Sequence, residues 1–498
     1  MMMPRKKLID LLVVALSLSC LPLGARAQVT DWKQIHFPPL NAFNPQEPRR
    51  VELANGMVIF LQEDHELPLI RGTARIRGGS REEPPAKVGL VNIYGEVWRT
   101  GGTKTHSGDE LDDFLEARAA RVESSGGIDS TLISWDCLKD NFDEVFRVFV
   151  EFLQEPEFRD DKIPLAKNQL STGIARRNDD PGAIAAREAQ KLGYGADSPY
   201  ARQPEYATVA GVTRDDLLNW HHTYVHPNNV ILGVVGDFDS KAMEEKLRAA
   251  FESWPKGPSP APLQALFPGP KPGTYFVQKD DVNQSNIRMV ELGARRDNPD
   301  YYAISVFNEI FGSSFSSRLV EDVRTKKGLA YHVGGGVGTA FDHPGLFQIS
   351  MGTKSGSTAA AIEALYEEID GLKTKPPTEG ELQRAKDSIL NSFVFQFDSK
   401  GKVLQERMSY EFYGYPADFL KRYQAGIEKV ALEDVQGVAQ KYVHKDQLAV
   451  LVVGKAADFD KPLSTFGSVA NIDIAIPPPP NAAKAATSTN SGRQGAHR

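Results

Sequence analysis

Two histidines in the middle of the chain have the spacing of a metal site. His222 and His226 are four residues apart in a segment that is typical of a helix, so one helical face would carry both side chains. No carboxylate lies between them. Metal binding is one interpretation. A packing or helix-capping role is favoured, because a histidine at the C-terminal end of a helix suits the helix dipole.

The segment that holds these histidines recurs later in the chain. Residues 211–236, GVTRDDLLNWHHTYVHPNNVILGVVG, align without a gap with residues 429–454, KVALEDVQGVAQKYVHKDQLAVLVVG. Both copies predict a helix that ends in Tyr-Val-His, a turn, and a buried strand closed by glycine. The second copy has Gln440 and His444 at the two histidine positions, so the metal-like pair is not repeated. A repeat at this long spacing indicates a duplicated domain.

Predicted strands and helices place these segments within two similar lobes. We predict an α+β fold in which each lobe is a mainly antiparallel sheet with helices packed on one face. The N-terminal lobe spans residues 46–254, a proline-rich linker 255–273, and the C-terminal lobe 274–465. In the first lobe, strands are predicted at 50–61, 70–76, 130–138 and 230–235, and helices at 89–100, 108–118, 141–153 and 160–177.

Composition narrows the class of protein. The chain has 498 residues, of which 41% are hydrophobic and 25% charged, with a net charge of −7. These values are ordinary for a globular protein. Basic residues are scattered rather than gathered in a stripe, which argues against a nucleic-acid partner. No segment is long and apolar enough to predict a transmembrane helix.

The two ends of the chain predict export and a disordered tail. A basic start, an apolar run at 11–23 and Ala25-Arg-Ala27 are typical of a signal peptide, residues 1–27, so the protein is expected to be periplasmic or secreted. Cys20 raises a lipoprotein alternative, but the residues before it match a lipid-attachment box poorly. Without the signal peptide Cys137 is the remaining thiol, which excludes an internal disulfide. Residues 476–498, beginning IPPPP, predict a disordered tail.

One long motif in the second lobe carries a family resemblance. Residues 311–335 read FGSSFSSRLVEDVRTKKGLAYHVGG, and the first lobe adds RGGSREE at 77–83, Gly89-Leu90 and Asp179-Asp180-Pro181. Together these motifs resemble the pitrilysin/insulinase zinc peptidases, and among them the two-lobe branch similar to mitochondrial processing peptidase. The resemblance covers nearly all of residues 46–465. It implies a duplicated lobe that forms a clamshell around an extended peptide.

The metal-binding motif of that family is degenerate in this chain. Active members carry H-x-x-E-H, in which two histidines bind zinc and the glutamate acts as general base. Setting the helix GLVNIYGEVWRTGG on the family frame places Asn92 and Glu96 at the histidine positions and Gly95 at the base position. Thr172 and Gly173 stand where the third ligand, a glutamate, is expected. The resemblance therefore implies no zinc and no complete catalytic set in this chain.

A second part of the family site is retained. The resemblance assigns substrate binding and stabilisation of the developing oxyanion to an arginine and a tyrosine, which match Arg324 and Tyr331 in RTKKGLAY. One permanent cation and one phenolic donor suit that role. Considered singly, Arg324 reads as a surface ion pair and Tyr331 as a core residue. Within the matched motif the functional interpretation is favoured.

These observations lead to one leading hypothesis and two alternatives. Some members of this branch are heterodimers in which one subunit lacks zinc. We therefore expect a subunit that binds peptide, holds no cofactor itself, and complements a zinc-bearing homologue in an endopeptidase. One alternative is a non-catalytic scaffold that binds a peptide or protein. The other is an active zinc metalloendopeptidase in its own right, whose test is the metal content of the isolated protein.

Overall fold

The structure is a computed structural model that describes residues 45–261 and 263–480. The predicted signal peptide, with Cys20, lies outside the described residues, as do residues 481–498 of the predicted tail. In the described part of the chain, no helix combines the length and the apolar character that crossing a bilayer requires.

The first lobe, called the N-lobe, is built on a six-stranded sheet. Its strands are β1 (Arg49–Glu52), β2 (Val58–Glu63), β3 (Leu69–Arg77), β4 (Arg121–Gly126), β5 (Ser130–Leu138) and β6 (Val230–Gly236). Their order in the sheet is β1-β2-β6-β3-β5-β4, and all neighbours are antiparallel except β2 and β6. Strand β6 is apolar along its length because both faces of the sheet are covered there.

The helices predicted in the N-lobe at residues 89–100, 108–118, 141–153 and 160–177 are confirmed. The α-helices of this lobe are α1 (Leu90–Thr100), α2 (Gly108–Glu116), α3 (Phe142–Gln154), α4 (Lys162–Arg176), α5 (Pro181–Tyr194), α6 (Tyr206–Ala210), α7 (Arg214–Tyr224) and α8 (Ser240–Phe251). One predicted strand was wrong. Residues 50–61 form the β1–β2 hairpin instead, because Asn55 and Gly56 make a turn in which Gly56 has a φ of 83°.

The second lobe, called the C-lobe, repeats the topology of the first. Its strands are β7 (Gly273–Gln278), β8 (Gln284–Leu292), β9 (Ala294–Arg295), β10 (His332–Ala340), β11 (Pro344–Lys354), β12 (Ala449–Gly454) and β13 (Val469–Asn471). The order β7-β12-β8-β11-β10 matches β2-β6-β3-β5-β4, and β7 pairs with β12 in parallel as β2 pairs with β6. The predicted duplicated α+β fold is confirmed.

Helices of the C-lobe include two π-helical segments, residues Glu309–Ser313 and Leu319–Lys326. The α-helices are α9 (Tyr301–Asn308), α10 (Thr358–Thr374), α11 (Glu379–Phe393), α12 (Lys400–Tyr413), α13 (Phe419–Lys429) and α14 (Leu432–Tyr442). The segment Leu319–Lys326 carries the predicted site residue Arg324, and Tyr331 immediately precedes β10.

Each sheet has its own helices on one face and a single helix from the other lobe on the opposite face. Alternate residues of a strand point to opposite faces, and Ile59 of β2 joins the N-lobe core while Phe60 meets Leu404 and Met408 of α12. Reciprocally, α5 of the N-lobe packs on β8 and β12 of the C-lobe through Ile184 and its neighbours. The two lobes are therefore interlocked by an exchange of helices.

Candidate functional site

Helix α1, on which the family motif lies, begins at a buried carboxylate. Gly89 adopts a φ of 103° at the start of the helix. The carboxylate of Glu83 accepts hydrogen bonds from the backbone N–H groups of Gly89, at 3.1 Å, and Val91, at 2.6 Å. Burial raises the pKa of Glu83 to about 7. Glu83 thus accepts from two of the N–H groups that lack a partner within the helix at its first turn.

One face of α1 is packed into the N-lobe core. Tyr94 and Trp98 are fully buried, and the indole N–H of Trp98 donates to the carbonyl oxygen of Phe152 over 2.7 Å. The hydroxyl of Tyr94 lies 2.9 Å from Nδ1 of His221 on α7. These contacts fix the rotation of α1 about its own axis.

His221 is a neutral histidine that the sequence analysis did not single out. Its Nε2 lies 3.0 Å from the carbonyl oxygen of Leu153, which can only accept, so Nε2 carries the proton and Nδ1 accepts from the hydroxyl of Tyr94. Burial lowers the pKa of His221 to about 3. Both ring nitrogens are engaged in the core, so His221 is a structural residue and does not replace a missing zinc ligand. Its burial beside Tyr94 is not visible from residue spacing alone.

The three degenerate motif positions divide between the two faces of α1. Asn92 and Glu96 are exposed, one turn apart, and neither side chain has a hydrogen-bond partner within residues 45–261 and 263–480. Gly95 is buried instead. A Cβ built on Gly95 would overlap the backbone nitrogen of Gly126 on β4 and lie 2.7 Å from the carbonyl carbon of Ser125. No side chain therefore fits at the predicted general-base position.

The remaining residues of the motif do not fit zinc either. At the predicted third-ligand position Thr172 is exposed and its hydroxyl donates to the carbonyl oxygen of Asn168 over 2.8 Å. At the two predicted histidine positions, α1 offers one amide, Asn92, and one carboxylate, Glu96. Catalytic zinc sites use three histidine, cysteine or carboxylate ligands. Over the described residues, no group of three such side chains could hold a metal ion. The N-lobe therefore has no donor set for zinc.

Arg324 and Tyr331 lie at the two ends of one surface turn of the C-lobe. The turn is held by the N–H of Leu329, which donates to the carbonyl oxygen of Val323 over 3.1 Å. Tyr331 is 86% exposed, contrary to what a core tyrosine would show. Arg324 is half-buried, and its guanidinium carbon lies 5.9 Å from the centroid of the exposed Phe315 ring.

Arg324 differs from the basic residues beside it. Lys326 pairs with Asp322 at 2.5 Å, and Lys327 pairs with Glu367. Among the described residues, by contrast, neither Arg324 nor Tyr331 has a hydrogen bond or an ion pair, and no such bond joins either of them to α1. The structure thus leaves a cation without an ion pair and an exposed phenol near each other in the chain, and within the described residues neither side chain is bonded to the N-lobe motif.

The other candidate metal pair is not a site. His222 is exposed, whereas the ring of His226 packs against Gly257 of the linker. In the second lobe His444 binds Glu291 twice, through its backbone N–H at 2.9 Å and through Nδ1 at 2.5 Å. The recurring Tyr-Val-His histidine therefore packs against the linker in the first lobe and is bound by Glu291 of β8 in the second.

Comparison with known proteins agrees with the duplicated fold. Residues 72–194 match the model of the insulinase family (peptidase family M16), and residues 211–389 match the peptidase M16 inactive domain. This chain belongs to peptidase family M16, the pitrilysin/insulinase family.

Relatives within the family carry different names. The uncharacterized zinc protease YmxG of Bacillus subtilis (strain 168) is 24% identical over 410 residues, 81% of this chain and 98% of that protein. The non-peptidase homolog YmxG of Helicobacter pylori (strain ATCC 700392 / 26695) is 22% identical over 79% of this chain and 91% of its own length. A crystal structure of the peptidase M16 inactive domain from Pseudomonas fluorescens matches with a TM-score of 0.73, at 24% identity over 82% of this chain and 98% of that one, which bears on the fold alone.

Proposed function

We propose that this chain is a zinc-less M16 subunit that binds extended peptides and completes the active site of a zinc-bearing homologue in a heteromeric endopeptidase. The observation that carries the proposal is the contrast between the two lobes. Gly95 is closed against β4, which removes the general base, while Arg324 and Tyr331 remain unengaged among the described residues. Zinc and the general base would belong to the partner.

Arg324 and Tyr331 would act on the substrate carbonyl. Negative charge develops on that oxygen during peptide hydrolysis, and donors aimed at it stabilise the transition state more than the ground state. An unpaired guanidinium is suited to this task because it is always charged and offers several N–H donors. The phenol of Tyr331 is a second donor that needs no rearrangement of the core, since its side chain already lies in solvent.

The proposed site of action is outside the cytoplasm. The signal peptide predicted at residues 1–27 supports export to the periplasm or the medium. A zinc-bearing homologue with its own signal peptide would be the matching partner.

The test is reconstitution with a zinc-bearing homologue encoded by the same organism. Peptide cleavage should require both chains and zinc, and Arg324→Ala or Tyr331→Phe should each lower kcat/KM by about 10²-fold, as the loss of one oxyanion donor does. Lys326→Ala is the matched control, because Lys326 lies on the same segment but pairs with Asp322. Full activity of the Arg324→Ala/Tyr331→Phe double variant would exclude the complementing role.

A second candidate is a non-catalytic scaffold that holds a peptide or protein. The absence of a metal-binding group from the described residues favours it, and so does the relative named a non-peptidase homolog. Under this proposal the isolated chain binds peptide with the same affinity whether or not the homologue is present, and no mixture cleaves it. Stoichiometric zinc in the purified chain would contradict both candidates and favour an independent peptidase.

A further inference from the structure

The chain leaves the C-lobe along a segment that contacts both lobes. Strand β13 runs parallel to β7 at the edge of the C-lobe sheet, and the N–H of Ile472 extends this pairing by donating to the carbonyl oxygen of Phe276 over 2.8 Å. Four prolines, residues 477–480, follow Ile476. Proline has no N–H to continue a ladder, so the paired segment ends before them. We call residues 469–476 the clasp.

Side chains of the clasp alternate between the protein and solvent. Ile472, Ile474 and Ile476 are half-buried, whereas Asp473 and Ala475 are exposed, as in a strand with one covered face. Ile472 and Ile474 pack on the apolar cluster that α5 forms with the outer face of the C-lobe sheet. Ile476 packs against the core of the N-lobe. Three inward side chains therefore reach surfaces of both lobes.

The half-buried side-chain amide of Asn178, in the N-lobe, binds the middle of the clasp. Asn178 lies between α4 and α5, and its Nδ2 donates to the carbonyl oxygen of Ile474 over 2.7 Å. Its Oδ1 accepts from Nη2 of Arg187 on α5 at 2.9 Å. The orientation of the amide is thus set by α5, the helix that crosses to the C-lobe. The clasp is therefore bonded to the segment just before α5, the N-lobe helix that packs on the C-lobe sheet.

We propose that the clasp is a releasable lock on the arrangement of the two lobes. Seated, it holds α5 on the C-lobe sheet and keeps the lobes at a fixed separation; lifted, it lets α5 loosen and the lobes move apart. Beyond the short β13–β7 ladder at residues 469–471, the clasp is held by few apolar contacts and by two hydrogen bonds to the rest of the protein, through Ile472 and Ile474. Segments held so lightly open far more often than a core unfolds. If the proposed function holds, opening of the clasp would also admit a peptide between the lobes. The lock itself does not depend on that function.

Hydrogen exchange of the purified full-length chain tests the lock. The variant Ile474→Ser/Ile476→Ser removes two inward side chains, and Asp473→Ser/Ala475→Ser, at the intervening exposed positions, is the matched control. The inward variant should exchange amide protons of α5 about fivefold or more faster than the control, with β5 unchanged, since only local opening is affected. Equal exchange of α5 in the two variants would overturn the proposal.

A milder change keeps the test decisive if the inward variant does not fold. Asn178→Asp removes the donor to the clasp but keeps the acceptor for Arg187 of α5, and it should accelerate exchange in α5 by a smaller factor. An unchanged rate in α5 would again overturn the lock. Binding of a fluorescein-labelled unstructured peptide separates the two proposals: faster exchange in α5 without peptide binding by any variant supports the lock and contradicts the proposed peptide function.

Discussion

Gly95 of α1 packs directly on the backbone of Gly126 in β4, and neither residue has space for a side chain. A Cβ on Gly126 would in turn overlap the carbonyl oxygen of Val91. The hydroxyl of Ser124 donates to the carbonyl oxygen of Gly95 over 2.6 Å and holds the helix against the strand. The strand therefore leaves no room for a side chain at Gly95, the position where the family resemblance predicts the general base.

Restoring the motif should damage the fold before it restores chemistry. Gly95→Glu forces a side chain into the α1–β4 contact and should lower the free energy of unfolding by about 3 kcal/mol or more, as overpacking of a core does. The control is Asn92→His/Glu96→His, since both positions are exposed and should tolerate the change. Urea denaturation measures the difference. A Gly95→Glu variant as stable as the control would mean that α1 moves freely away from β4.

His221 should make the stability fall as the pH falls. Its folded pKa, about 3, is below the usual value near 6.5, so its contribution is complete above pH 6.5 and is lost as the pH drops towards 3. Between pH 7.5 and 5, the free energy of unfolding of the parent should fall by about 2 kcal/mol more than that of His221→Gln, whose glutamine side chain cannot be protonated in this range. Urea denaturation at the two pH values measures this difference. Parallel pH profiles for the two proteins would contradict the neutral, buried histidine.

Glu83 should make the stability fall as the pH rises, which is the opposite of the effect expected for His221. Its folded pKa, about 7, is above the usual value near 4.5, so its contribution is complete below pH 4.5 and is lost as the pH rises through 7. Between pH 4.5 and 8, the free energy of unfolding of Glu83→Gln should therefore rise relative to that of the parent by about 3 kcal/mol. Glu96→Gln, at an exposed position of α1, is the comparison variant. Urea denaturation at the two pH values tests this prediction. If the parent instead became more stable relative to Glu83→Gln as the pH rises, the raised pKa of Glu83 would be refuted.

Arg324 and Tyr331 should be dispensable for stability. Each has no hydrogen bond or ion pair among the described residues, and Tyr331 is almost wholly exposed. Arg324→Ala and Tyr331→Phe should each change the free energy of unfolding by less than about 0.5 kcal/mol, as surface substitutions do. Thermal unfolding followed by circular dichroism checks this. Losses well above that value would assign the two residues a structural role and weaken any loss of activity as evidence for a role in the site.

The exchanged helix α12 should stabilise the lobe on which it lies. Met408 and Leu404 are buried against β2 and β6 of the N-lobe, so Met408→Ala should cost about 2–4 kcal/mol through lost burial and the cavity that remains. Gln405→Ala, on the exposed side of the same helix, is the control. Hydrogen exchange should locate the loss in the N-lobe sheet as well as in α12. Loss confined to the C-lobe would contradict the interlocked arrangement.

Much of the fold follows from periodicity along the chain. The apolar runs that became β6 and β12, and the helices that became α1 to α4, are local patterns that bury one face or two. The turn at Gly56 was missed because β1, a mostly polar strand of four residues, was joined to the apolar strand β2. The crossing of α5 and α12 was missed for a different reason: an amphipathic helix needs an apolar surface, and its sequence does not say which lobe supplies it.

The amino-acid sequence by itself determined the duplicated lobes, the family, and the lack of histidines at Asn92 and Glu96, because these depend on which residues stand in which order. Only the tertiary structure decided that Gly95 is sealed by Gly126, that His221 is held neutral beside Tyr94, and that Arg324 forms no ion pair among the described residues. Each of these depends on distances between segments far apart in the chain. Such distances come from packing, and packing sums many weak contacts that no single stretch of sequence contains.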